Sequence, residues 1–267
     1  MEDDLGTPVR TLESLKLLSF SKANGVARVI LNRPPYNVMN IALLDELASV
    51  LDAIELAGDT KVLVLSGTDA AFSGGLDITD HTEEKAYQLI ESFHTVFRKL
   101  MKLEAVTIAL VKGMALGGGC ELAVACDFTF VAEDAKLGQP EIKVGLFAPL
   151  AAILYPHLIG RHRTFEMMLS GEVLVGKDAA QMGLVTKALP AGELEAELQR
   201  WLDRLELSST PVVQLTRRAL QEASGQPFDE ALRRVEEIYL NYLMATEDTH
   251  EGLAAFLQKR KPVWKNR

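Results

Sequence analysis

The chain has 267 residues, 48% of them hydrophobic, which is enough for one large buried core and an appendage. A formal net charge of -9 gives no general electrostatic footprint for nucleic acid, and no apolar run approaches the roughly 18 residues of a membrane span. The two cysteines, Cys120 and Cys126, lack CxxC or metal-ligand spacing and read as buried free thiols rather than a disulfide.

The opening MEDDLGTPVR is acidic, unlike the basic lead of a secretory signal, so a cytoplasmic compartment is expected. Residues 15–21 and 26–31 read as strands joined through Asn24-Gly25, a strong hairpin signal. Asn32-Arg33-Pro34-Pro35 stops either kind of element. Asn40 is placed to cap a helix over 41–56, whose apolar residues recur at helical spacing. KVLVL at 61–65 reads as a buried strand, and the strand–helix rhythm predicts an α/β interior. Phe72-Ser73-Gly74-Gly75-Leu76-Asp77 follows as a glycine-bearing loop, either a plain connection or a turn that offers an N–H. A long helix is expected over 83–103, with Leu89, Phe93, Val96, Phe97 and Leu100 on its apolar stripe. His81 and His94 have no ligand-spaced partner.

The most informative stretch is VTIALVKGMALGGGCELAVACDFTFVAEDAKLGQPEIKVG, residues 106–145. A strand over 106–111 leads through Gly113 to Gly117-Gly118-Gly119 and a short apolar helix bearing Glu121. A second strand over 128–132 precedes the turn Gly138-Gln139-Pro140-Glu141. Adjacent glycines at a strand-to-helix junction let a ligand atom reach bare backbone N–H groups, where the helix dipole favours negative charge. The spacing matches neither GxGxxG nor GxxxxGK[ST]. Two readings remain: a donor cluster for an anion or developing oxyanion, with two carboxylates nearby in sequence, or simple close packing of helix on strand. Pro149 and Pro156 are expected to keep any helix in 146–158 short. His157 and His162 are not spaced to share a face. Further elements are a helix over 161–169, a glycine-capped turn at 177–183 and a strand over 184–188. From 191 onward only helices are expected, over 192–207, 211–223, 228–246 and 251–258. Leu232, Val235, Ile238, Tyr239, Tyr242 and Leu243 form a stripe suited to a subunit interface or to packing on the core. The basic tail, residues 259–267, either meets ligand phosphates or is a solubilising end.

ALGGGCELAVACD, GQPEIKVG, AFSGGLDI, LNRPPYNVMN and GKDAAQMGLV together resemble the crotonase, or enoyl-CoA hydratase/isomerase, family over residues 15–262. The resemblance implies a spiral of repeated ββα units over 1–190, carrying the active site. It also implies an all-helical region over 191–267 for trimerisation, with trimers that pair into hexamers and part of the CoA site. The implied oxyanion donors are the backbone N–H groups of Leu76 and Gly118, and the implied acid–base pair is Glu121 and Glu141. CoA contacts are expected at Arg33, Pro35, Asn37, Ser73, Gly74, Leu76, Gly117, Lys259 and Lys261. Coenzyme A is then part of the substrate, so neither a separate cofactor nor a metal is implied.

Two departures from the family pattern bear on the substrate. The usual IPGAGG is replaced by Phe147-Ala148-Pro149-Leu150-Ala151-Ala152, and the usual N-A-L reads Asn37-Val38-Met39. This combination is most similar to the cyclohexa-1,5-diene-1-carbonyl-CoA hydratase branch, which implies formation of 6-hydroxycyclohex-1-ene-1-carbonyl-CoA in anaerobic aromatic degradation. The alternatives are an enoyl-CoA isomerase, a general short-chain hydratase, a thioester hydrolase or dehalogenase, or an RNA-binding or structural protein of the same fold. Both glutamates favour water addition, because one must activate water while the other protonates carbon; mutual repulsion is expected to keep one of them protonated.

Overall fold

The computed structural model describes residues 15–267, so the acidic stretch at 1–10 lies outside it. β1 (Leu18–Ala23) and β2 (Val26–Leu31) form the expected antiparallel hairpin, with Ala23 opposite Val26. Asn24 and Gly25 both take positive φ, as a two-residue turn of this hand requires. β1 starts later than the pattern suggested because the Lys16 and Leu17 N–H groups donate to the Glu46 carboxylate instead of entering a strand ladder.

The chain then winds in repeated strand–strand–helix turns. α1 (Ile41–Ala57) is capped by the Asn40 side chain, which accepts from the Leu43 N–H at 3.1 Å. β3 (Val62–Ser66), β4 (Ala71–Ser73) and α2 (Ala86–Lys102) make one turn; β5 (Val106–Val111), β6 (Met114–Leu116) and α3 (Gly118–Val124) make the next. β7 (Phe128–Ala132) and β8 (Lys136–Gly138) start a third turn, which continues through a 3-10 turn at Pro140–Val144, α4 (Pro149–Leu158) and α5 (Gly160–Ser170). β9 (Val173–Val175), α6 (Gly176–Gln181) and β10 (Lys187–Leu189) complete it. First strands of successive turns stack into a six-stranded sheet, β1-β2-β3-β5-β7-β10, and second strands into a four-stranded one, β4-β6-β8-β9. Neighbours are parallel except in β1–β2 and β8–β9. Parallel strands covered on both faces need continuous apolar sequence, and VTIALV of β5 is buried at every position.

The four-stranded sheet was not legible in the sequence. Its members are three residues long and lie in segments read as loop or turn or given no element, too short to show a period of two. The structure also revises three helices. α4 starts at Pro149, where a missing N–H costs nothing, and continues through Pro156 instead of stopping before it. Ala152 and Pro156 are both exposed, leaving the carbonyl that Pro156 cannot satisfy to solvent. The expected helix over 228–246 is broken into α9 (Phe228–Glu237), a π-helical turn at Ile238–Tyr242 and a 3-10 turn at Leu243–Ala245. Thr246, extended at ψ 141, accepts from Thr249 N–H and so starts α10 (Glu247–Leu257) four residues earlier than expected. Among the described residues no strand follows Leu189; α7 (Leu194–Glu206) and α8 (Thr210–Ala223) precede α9. Leu194 and Leu198 of α7 join the same buried cluster as the sheets.

Candidate active site

Two glycine-bearing loops, each leaving a strand of the smaller sheet, meet in space. The loop after β4 is held from below by the segment before α1. The Asn37 amide donates to the Ala71 and Phe72 carbonyls at 2.8 and 3.2 Å, and Ser73 Oγ returns a bond to the Asn37 carbonyl at 2.8 Å. Gly74 N–H donates to the Tyr36 carbonyl, and the Arg33 guanidinium pairs with Asp77 at 2.9 Å. Asp77 in turn caps the short 3-10 turn Ile78–Asp80.

The triple glycine that follows β6 divides into three tasks. A Cβ on Gly119 would lie 2.4 Å from the Ser73 carbonyl oxygen, so this glycine permits the two loops to touch. A Cβ on Gly118 would press on Phe93 and Leu76 at 3.0 and 3.1 Å. Gly117 has φ 52 and ψ -129, and a Cβ there would sit 2.2 Å from Glu141 Oε1. Close packing is thus served by all three glycines, each against a different neighbour. Among the described residues neither the Leu76 nor the Gly118 N–H has an acceptor. Leu76 is in a lone parallel bridge with Met39 that uses the flanking groups, and Gly118 opens α3, where the first amides have no intrahelical partner.

Glu121, one turn into α3, is 1% exposed. Its Oε1 accepts the Ala151 N–H at 2.7 Å, from the first turn of α4. The substituted segment Phe147–Ala152 thus presents a helix amino end to this carboxyl, a placement favoured by orphan amides and the helix dipole. Even so, burial raises the Glu121 pKa to about 7; the Ala151 bond opposes the rise and the Glu141 charge adds a smaller upward push. Glu141, in the 3-10 turn after β8, is raised for the same first reason, burial, against its own backbone N–H and the charge of His81. Its Oε2 is buried with no partner. Desolvation comes first in holding both carboxyls toward the protonated form, and the repulsion expected from sequence adds to it at Glu121.

Gln139, Tyr155 and Cys120 form a buried polar cluster beside the pair, and sequence reading singled out none of them for this. Tyr155 is six residues past the α4 start, in a run read only as apolar. An apolar groove of about 460 Å³ borders the site between α2 and α4, lined by His94, Phe97, Met101, Pro149, Leu150 and Ile153. Leu150 faces the groove while its neighbour Ala151 holds Glu121.

The residues expected at CoA separate into two groups. Asn37 and Ser73 are fully buried, their side chains spent on the loops, and Gly117 is also buried; Pro35 and Tyr36 are exposed beside Gly74. In the tail, Arg260 pairs with Glu251, and Lys265 and Arg267 pair with Glu247. Lys259 and Lys261 are exposed and make no ion pair among the described residues. Among the described residues no cluster of three or more potential metal-ligating His, Cys, Asp or Glu occurs, and no helix is long and apolar enough to cross a membrane.

Comparison with known proteins places this geometry in a family. The enoyl-CoA hydratase/isomerase family model matches residues 21–267. The chain is 33% identical over 244 residues to the cyclohexa-1,5-dienecarbonyl-CoA hydratase of Thauera aromatica, covering 90% of this chain and 93% of that one. It is also 33% identical over 254 residues to the 2,3-dehydroadipyl-CoA hydratase of Escherichia coli, covering 94% and 99%. Among solved structures, an enoyl-CoA hydratase of Geobacillus kaustophilus superposes with a TM-score of 0.90 at 29% identity, over 95% of this chain and 98% of the other. The ββα spiral and its helical C-terminal region are thus those of a known enzyme fold, and the chain belongs to the enoyl-CoA hydratase/isomerase family.

Proposed function

We propose that the protein adds water reversibly across the double bond of an α,β-unsaturated acyl-CoA. The observation that carries this reading is the pairing of a buried carboxyl, Glu121, and a partly buried one, Glu141, with the amides of Leu76 and Gly118, which have no acceptor among the described residues. The thioester oxygen lies between the amides, which stabilise the charge that builds there as Cβ is attacked; loss of one such donor costs about 3 kcal/mol in comparable sites. Glu121, as carboxylate, takes the proton of the attacking water, and its oxygen bonds to Cβ. The enolate then collapses as Glu141, as acid, protonates Cα. An isomerase needs only one well-placed carboxyl, and the presence of two argues for water addition.

The acyl group we assign is a cyclic dienoyl thioester. Pro149 and Leu150 put bulk and a fixed turn where small glycines would leave room, and the groove beside them is apolar. Hydratases named for a ring and for a linear diacid are equally similar in sequence, so this assignment rests on the α4 start and not on identity. The CoA phosphates we assign to Lys259 and Lys261, the tail cations that make no ion pair among the described residues. Purified protein without added metal or redox cofactor is expected to hydrate cyclohexa-1,5-diene-1-carbonyl-CoA faster than crotonyl-CoA, with the product oxygen drawn from labelled water. A shifted double bond without label would point to an isomerase, and released CoA to a hydrolase.

The same reading includes a trimer or a pair of trimers. Leu232, Tyr239 and Tyr242 are 43, 54 and 44% exposed on the C-terminal helices, while Ile238 of the same stripe is buried and Arg218 lies over the Tyr242 ring, so the stripe is only half covered by its own chain. Light scattering at micromolar concentration is expected to give three or six times the chain mass, and a stable monomer would remove this part of the proposal.

A further inference from the structure

Behind the glutamates lies the buried cluster that the hydration step leaves unused. The Gln139 amide donates to the Tyr155 hydroxyl at 2.5 Å, and that hydroxyl donates to the Cys120 sulfur at 3.2 Å. Cys120 and Tyr155 have no exposed surface and Gln139 is 2% exposed. Each belongs to a different part of the site. Cys120 precedes Glu121 on α3, Gln139 leads into the turn that carries Glu141, and Tyr155 sits one helical turn beyond Ala151, whose N–H holds Glu121. A buried phenol carries a desolvation cost that phenylalanine, nearly the same in shape, avoids. The hydroxyl offsets that cost by adding the Gln139 segment to α3 and α4, which the Glu121–Ala151 bond already joins. Gln139 Oε1 is buried without a partner, so the tyrosine is the one side-chain tether of that amide among the described residues.

We propose that Tyr155 is a positioning residue: through Gln139 and Cys120 it clamps α3, α4 and the turn after β8, and thereby fixes the spacing of Glu121 and Glu141. This rests on the two-glutamate reading above. The clamp carries no charge of its own. Burial pushes the Cys120 thiol up to about 12 and the Tyr155 phenol well above its ordinary value, so both stay neutral, and the ionisable groups that face them are Glu121 and Glu141, with His81 beyond Glu141.

Tyr155→Phe removes the hydroxyl and keeps the ring. It is expected to lower kcat about tenfold with KM within about twofold, since misplacement of the acid–base pair harms the transition state more than binding. Cys120→Ala should act in the same direction but more weakly, and adding it to Tyr155→Phe should cost little more, because the two act as one unit. A second readout needs no substrate. In carboxyl-¹³C-glutamate NMR, with Glu121 assigned by its loss in Glu121→Gln, loosening of the dry cluster should lower the Glu121 midpoint by about half a pH unit or more. Unchanged kcat together with an unchanged midpoint would overturn the clamp. So would a fall in kcat that follows loss of folded protein while the midpoint stays put. If the wild-type protein hydrates nothing yet the midpoint moves in Tyr155→Phe, the hydratase reading fails and the clamp stands.

Discussion

Glu121→Gln is expected to lower kcat for hydration by about three powers of ten, and Glu141→Gln by a similar factor, because an amide neither takes a proton from water nor gives one to carbon. Acyl-CoA binding should persist in both, since Gln matches Glu in shape and can still accept the Ala151 N–H at position 121. The double variant should be little worse than either single one, as members of one proton-transfer unit are not additive. Wild-type kcat/KM should rise with pH through about 7, where the buried Glu121 ionises in the free enzyme. Stability is expected to move the opposite way. Glu121 has a folded-state pKa raised from 4.5 to about 7. The folded state therefore binds the proton more tightly, and the stability associated with the neutral carboxyl is present below about 4.5 and lost as pH rises through about 7. That shift corresponds to roughly 3 kcal/mol, so Glu121→Gln should melt at a higher temperature than wild type at pH 8 and show little gain at pH 4. Full activity in Glu141→Gln would end the two-carboxyl mechanism. A Glu121→Gln protein less stable than wild type at pH 8 would show that its burial is not what shifts the carboxyl.

Much of this site was legible in the residues themselves, and the reason lies in how strongly each local rule binds. Asn24-Gly25 and Asn40 do their work within a few residues, and the turn and the cap formed where the sequence placed them. Strands such as β5 are long enough to declare themselves by continuous apolar character. The smaller sheet is different: its strands exist because neighbouring turns of the spiral stack, and nothing within three residues of Lys136–Gly138 or Val173–Val175 announces that. The site shows the same division. Glycines and glutamates stood out by type and spacing. The amide that holds Glu121 belongs to Ala151, which any residue other than proline could supply, and Tyr155 gains its role from partners 16 and 35 positions away. The two glycine loops could be named separately from sequence, but their convergence depended on Gly119 lying against Ser73, a contact between separate turns.

Gly117→Ala is expected to abolish most activity while leaving a folded protein, and it separates the two uses of the triple glycine. At φ 52 and ψ -129 an L side chain is strained, so a loss of about 1–3 kcal/mol in stability follows wherever the new methyl goes. The methyl itself would fall 2.2 Å from Glu141 Oε1 and 3.1 Å from its Cδ. These atoms are the end of a flexible side chain, so the clash is relieved by swinging Glu141 away; the fold survives and the proton donor is lost from its place. The expected kcat is then close to that of Glu141→Gln, and the double variant Gly117→Ala with Glu141→Gln should be no slower than Gly117→Ala alone. Gly119→Ala provides the contrast. Its methyl would meet the Ser73 carbonyl oxygen at 2.4 Å, backbone against backbone, with no side chain able to move aside. That variant is expected to lose the junction of the two loops and to accumulate as unfolded or aggregated chain. Thermal melts and steady-state rates on the two variants decide the matter. If Gly117→Ala keeps wild-type kcat, Glu141 is not held against the glycine during turnover, and the proton reaches Cα from another group.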